Sequence, residues 1–180
     1  METTRHGVTV EIVRGDIANQ PDVDAVVNAA NAELRIGGGV AGAIHRAAGP
    51  GLEEACRPLA PIEPGEAVIT GGHDLPNEHV IHTLGPVYGR DEPADELLAR
   101  CYRASLRRAE EAGIGSVAFP AVSTGAFGYP LREAARVALT TVCEATGALE
   151  SVERIRFTLF GQEALEVHEE VLRELEADAG

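Results

Sequence analysis

Two glycine-rich segments, NAANAELRIGGGVAG (residues 28–42) and STGAFGYP (residues 123–130), each follow an apolar run short enough to be one buried strand. Glycine reaches φ > 0 and lets backbone amides approach a ligand closely, and a helix opening at such a turn adds the positive end of its dipole. Strand, glycine turn and helix in that order build an anion cradle, and two cradles suit a nucleotide-like diphosphate.

The rest of the chain fits a sheet with helices packed on it. Val8 to Arg14 alternates apolar and polar residues, as a half-buried strand does; Ala25 to Ala29, Glu66 to Thr70, His79 to Leu84, Ser116 to Phe119 and Arg154 to Phe160 read as further strands. Val40 to Ala48, Leu52 to Leu59, Pro93 to Gly113, Leu131 to Thr146 and Glu163 to Glu176 have helical spacing. Strands alternating with helices predict an α/β fold, a three-layer α/β/α sandwich on a mixed, largely parallel sheet. At 180 residues one domain over 1–180 is expected. In such sheets ligands sit outside the carboxyl ends of the strands, where both glycine segments fall.

Composition removes whole classes of function. All 15 basic residues are arginine, so neither a P-loop lysine nor a Schiff-base lysine is available. The net charge of −14 argues against nucleic acid and anionic membranes as partners. No apolar stretch is long enough to span a bilayer and no signal-peptide core opens the chain, so a cytoplasmic location is expected. Cys56, Cys101 and Cys143 form no CxxC pair and are expected as buried free thiols. His79 and His82 lie three apart on a strand, point to opposite faces and make a poor metal pair; no metal or cofactor is expected. Gly37, Gly39 and Gly42 match G-x-G-x-x-G, but residues around Ala32 to Ile36 separate them from the strand, against a Rossmann dinucleotide site.

GDI (15–17), VVNAAN (26–31), GGGVAGAIHRAAG (37–49), VIHTLGPVY (80–88) and FPAVSTGAFGYP (119–130) together resemble, in order, the signature of macrodomains, most closely the MacroD type. The resemblance implies a protein that binds ADP-ribose and hydrolyses ADP-ribosyl esters on acidic side chains or O-acetyl-ADP-ribose, with no cofactor; a non-catalytic ADP-ribose reader is the alternative. The implied partners are ADP-ribose, ADP-ribosylated proteins and O-acetyl-ADP-ribose, and a monomer is expected.

Carried over by position, the resemblance places Asp16 on the adenine amino group and the Ile17 amide on the ring. Asp16 could equally cap a short helix. Phe160 would lie against the adenine or, alternatively, in the core. Asn31 would bond the distal ribose hydroxyls, and Asn28 would brace the loop. The amides of Gly38, Gly39, Val40, Ser123, Thr124, Gly125, Ala126 and Phe127 would surround the diphosphate, with the Thr124 hydroxyl as a further donor and Phe127 packed on the distal ribose. Asn31, Gly38 and Phe127 would then orient a water for attack, with the diphosphate as base. Two positions depart from the pattern: Ala41 stands where MacroD-type enzymes carry Asp, and Ile36 where viral-type macrodomains carry His. His45, one turn beyond Ala41, would substitute as a catalytic group if it faces the cleft; the alternative is a structural histidine.

Overall fold

A computed structural model describes residues 1–179. Strands β1 (Glu2–Arg5), β2 (Val8–Arg14), β3 (Ala25–Ala29), β4 (Ala67–Gly71), β5 (His79–Thr83), β6 (Ser116–Phe119) and β7 (Arg154–Leu159) form one seven-stranded sheet in the order β1-β2-β7-β6-β3-β5-β4. The inner pairs are parallel, and both edge strands run antiparallel. Helices α1 (Gly39–Ala48) and α2 (Pro50–Cys56) cover one face; α3 (Ala94–Glu111), α4 (Leu131–Ala145) and α5 (Gln162–Ala179) cover the other. This is the mixed α/β/α sandwich that the alternating pattern predicts.

The pleat sorts each inner strand between two cores. Val26 pairs with Val80 on the α1/α2 side, whereas Val27 pairs with Ile81 on the other side. The larger core is anchored by Tyr102, Phe119 and Phe157, whose ring centroids lie 5.0 to 6.0 Å apart. Burial on both faces explains why β3 reads as a continuous apolar run.

The structure also revises the element boundaries. Strand β1 has no apolar periodicity; it forms because His6 and Gly7, both at positive φ, turn the chain back onto β2. The helix expected over Leu52 to Leu59 starts earlier, with Pro50 in its first turn, and ends at Cys56 in a 3₁₀ turn over Arg57–Leu59. Cys56, Cys101 and Cys143 are buried free thiols. Among the described residues no helix is long and apolar enough to cross a membrane.

Candidate functional site

The carboxyl ends of β2, β3, β6 and β7 open onto a single cleft with two lobes. Gly39, Val40, Ala121 and Gly125 line both lobes, so the lobes are continuous. One, of about 520 Å³, is bordered by Asp16, Ile17, Arg46, Thr124 and Phe160. The other, of about 410 Å³, is bordered by Asn31, Gly37 to Ala41, Ser123 and Gly125 to Phe127. We call these the aromatic and glycine lobes.

The glycine lobe is a backbone surface. Gly38, Gly39 and Val40 open α1, whose first amides have no acceptor within the helix and whose first turn carries no acidic residue. Gly42 is obligatory one turn on, because a Cβ there would run into the Gly37 carbonyl oxygen. On the opposite wall Ser123 sits at φ 69° with its hydroxyl donating to the Pro86 carbonyl at 2.8 Å. A Cβ at Gly85 would meet that same hydroxyl, so Gly85 lets the two loops close on each other. Among the described residues the amides of Ser123, Gly125, Ala126 and Phe127 donate to no protein group, while those of Thr124, Gly128 and Tyr129 are spent closing the turn. The expected donor role of the Thr124 hydroxyl needs correction: its hydrogen goes to the Ala121 carbonyl at 2.9 Å, leaving the oxygen only as an acceptor.

The Asn31 side chain donates to the Arg35 carbonyl at 2.8 Å and accepts from the Arg35 amide at 3.0 Å, which pins the loop before the glycines. Behind it, the Asn28 side chain ties β3 to the neighbouring β5 rather than bracing the loop. Its amide donates to His82 Nδ1 at 3.1 Å, so Nε2 carries the ring hydrogen and donates to the Thr70 hydroxyl at 3.0 Å, which donates on to the Gly71 carbonyl. Burial holds His82 neutral, its pKa pushed down to about 3.

His45 is not in the cleft. It is 4% exposed, lies against His82 with ring centroids 6.5 Å apart, and borders neither lobe. The helical twist carries its side chain to the core side of α1, and burial lowers its pKa. It is therefore the structural histidine of the two alternatives and has no catalytic reach. Ala41 is buried and borders the glycine lobe. Among the described residues none bordering that lobe is titratable; alanines, glycines, valines, Asn31, Ser123 and Phe127 make up its wall.

In the aromatic lobe Asp16 is exposed, and its Oδ1 accepts the Ala18 amide at 2.9 Å in a turn rather than a helix cap. The turn is braced from below. Gln20 donates to the Asp16 carbonyl at 2.9 Å and accepts from Arg156 at 2.8 Å. Arg156, buried, also grips Glu11 at 2.7 Å and both oxygens of Asp22. Those bonds hold the Asp22 carboxyl at a pKa of about 2. Ile17 is buried in the smaller core, and among the described residues its amide has no protein acceptor. Phe160, one residue past β7, is 85% exposed beside this lobe rather than in the core.

Sequence reasoning passed over Arg46. It is the cationic side chain bordering the cleft, exposed and without an acidic partner among the described residues. The signal was present, since Gly39, Ala43 and Arg46 fall at i, i+4 and i+7 on one face of α1.

Comparison with known proteins agrees with this architecture. A Macro domain family model matches residues 27–138. The macrodomain of Oceanobacillus iheyensis solved with ADP superposes with a TM-score of 0.95 at 37% identity, covering 99% of this chain and 97% of that one. A Trypanosoma brucei macrodomain in complex with ADP-ribose gives 0.82 at 37% identity, over 91% and 68% of the two chains. An O-acetyl-ADP-ribose deacetylase of Klebsiella pneumoniae is 45% identical over 170 residues, 92% of this chain and 97% of that protein. With the family model matching most of its length and relatives of this identity along nearly all of it, the chain belongs to the Macro domain family.

Proposed function

We propose that the cleft binds ADP-ribose and that the protein hydrolyses ADP-ribosyl esters on acidic side chains and O-acetyl-ADP-ribose, as a MacroD-type enzyme with Ala41 in place of Asp. The observation that carries the binding reading is the run of unspent amides in the glycine lobe, continuous with a lobe that offers an exposed aromatic and a carboxylate. Adenine would lie between Ile17 and Phe160 with its amino group donating to Asp16. The diphosphate would take the amides of Gly38 to Val40, Ser123 and Gly125 to Phe127, and the distal ribose would sit between Asn31 and Phe127. The Trypanosoma structure with ADP-ribose and the Klebsiella deacetylase support these two parts of the reading respectively.

A glycine lobe without a titratable wall restricts how water can be activated. In the ester-linked case a water held by a phosphate oxygen attacks the anomeric carbon. The new C–O bond forms as the carboxylate leaves with the bonding pair, and the water's proton passes to the phosphate. The chain supplies position and oriented amides, which act strongly where water is excluded. The same absent base favours the second reading, a module that binds ADP-ribose without turnover.

Calorimetry with ADP-ribose and AMP, and single-turnover release of ADP-ribose from a glutamate-modified protein with chelator present, test both parts. We expect ADP-ribose to bind far more tightly than AMP and release to exceed the uncatalysed rate. Equal affinity for the two ligands would sink the two-lobe assignment, and intact binding without release would leave the reader module. Gly125→Val and Gly38→Glu should abolish binding with the fold intact, because a Cβ at either position meets no protein atom within 4 Å and the larger side chain enters the cleft.

A further inference from the structure

The segment that borders the glycine lobe with Ser123 and Gly125 to Phe127 continues into Tyr129, which borders a different cavity. That cavity, of about 420 Å³, is formed by Tyr88, Gly89, Glu92, Asp95, Tyr129 and Glu133. The two sites are tied together, since the Tyr88 amide donates to the Phe127 carbonyl at 2.9 Å. Inside it the Tyr88 and Tyr129 rings pack 4.9 Å apart at a tilt of 55°.

The cavity is rich in uncompensated negative charge. Glu92 and Asp95 sit at the start of α3 and Glu133 in the first turn of α4. Among the described residues none of the three carboxylates has an ion-pair partner. Their ordinary role there is to complement the helix dipoles, which supply roughly half a positive charge each. Three carboxylates against two helix ends leave an excess of about two negative charges. Tyr129 gives a second, independent sign: it is only 5% exposed, yet its hydroxyl bonds to no protein group among the described residues. Burial first, and then Asp95 and Glu133, push its pKa up. Among the described residues no three acids or histidines come together as metal ligands, so the carboxylates ring the cavity rather than converge on a point. A ring of acids with aromatic faces suits a flat, delocalised cation that stacks and donates several hydrogen bonds at once.

We propose that this cavity takes a guanidinium group, that of an arginine flanking the modified residue in the polypeptide that carries ADP-ribose. The proposal rests on the reading of the cleft above. A polypeptide attached at the distal ribose emerges beside Phe127, and Tyr88 is bonded to the back of that residue. A chain of net charge −14 would otherwise repel acidic partners, so the preference should run toward basic flanks.

Two measurements test this. First, Nα-acetyl-argininamide is titrated while the Tyr88 and Tyr129 ring resonances are followed, with the citrulline analogue as the neutral control. We expect shifts with arginine, none with citrulline, and their loss in the Glu92→Gln/Asp95→Asn/Glu133→Gln variant, whose amides keep the local acceptors. Second, affinities are compared for peptides ADP-ribosylated on glutamate with an arginine or a citrulline flank. We expect the arginine peptide to bind roughly five- to tenfold more tightly, less so at high salt, with the preference gone in the triple variant and free ADP-ribose binding unchanged. Absence of ring shifts overturns the cavity itself. Shifts without a flank preference overturn the polypeptide as its source. Loss of free ADP-ribose binding in the wild-type protein would instead strike the reading of the cleft, leaving the ring-shift result to judge the cavity on its own.

Discussion

Phe160→Ala separates the site from the fold more cleanly than any other single change. Full burial of a phenylalanine contributes about 1.5–3 kcal/mol, and Phe160 is 85% exposed. Scaling by the hidden fraction leaves roughly 0.2–0.5 kcal/mol of folding stability at stake. Stacking of a nucleobase on an aromatic ring is worth about 1–3 kcal/mol by alanine substitution, or roughly 5- to 150-fold in affinity. The binding loss therefore exceeds the stability loss at either end of the ranges. Calorimetry should show ADP-ribose, ADP and AMP all weakened by a similar factor, because the adenine is common to them, while the thermal midpoint moves little. Unchanged affinities would remove Phe160 from the site. A large fall in melting temperature without a binding defect would mean that the ring packs on the body of the protein instead.

Other expectations follow from the same geometry. Arg46→Ala removes the cationic side chain bordering the cleft; as an exposed charge it should cost up to about fivefold in ADP-ribose affinity and reduce the salt dependence of binding, and an unaltered salt dependence would count against it. Ala41→Asp places a base in a lobe that has none, so single-turnover release should rise by about tenfold or less while ADP-ribose affinity falls through repulsion of the diphosphate; tighter binding or slower release refutes the substrate-phosphate mechanism. His82, whose pKa is pushed down to about 3, binds a proton in the unfolded chain before it does in the native one. Its contribution to stability is whole above the unfolded value of about 6.5 and is lost as pH falls below it, about 2 kcal/mol by pH 5. Denaturant midpoints at pH 7.5 and 5.0 should fall further in wild type than in His82→Asn, and equal falls would remove His82 as the cause.

What was legible in the sequence and what was not divide along one physical line. Positions whose role is fixed by the local backbone were readable: the glycines that open α1, the turn after β6, and β3 as a run buried on both faces. Roles that depend on which way a helix turns its faces were not. His45 and Arg46 are neighbours in sequence, yet one is buried against His82 and the other borders the cleft. The register that separates them is set by the packing of Ile44, Ala48 and Leu52 in the smaller core. Supports that reach across the fold were equally hidden. Gln20 and Arg156 are far apart in the chain, and only the β2–β7 pairing brings Arg156 under the loop that carries Asp16.

The same distinction bears on the chemistry. The sequence posed the question at Ala41, and His45 was the side chain placed to answer it as a substitute base. With His45 turned into the core, the glycine lobe keeps backbone amides, the Asn31 side-chain amide, the Ser123 hydroxyl already donated to Pro86 and one aromatic ring, all of which position or donate and none of which accepts a proton near neutral pH. If turnover occurs there, the proton has to leave with the ligand, and the rate has to follow the ionisation of the ligand's phosphate rather than that of any residue bordering the lobe. A pH–rate profile of single turnover in wild type should therefore be flat through the histidine range, and an inflection near pH 6.5 would require a protein base that this wall does not contain.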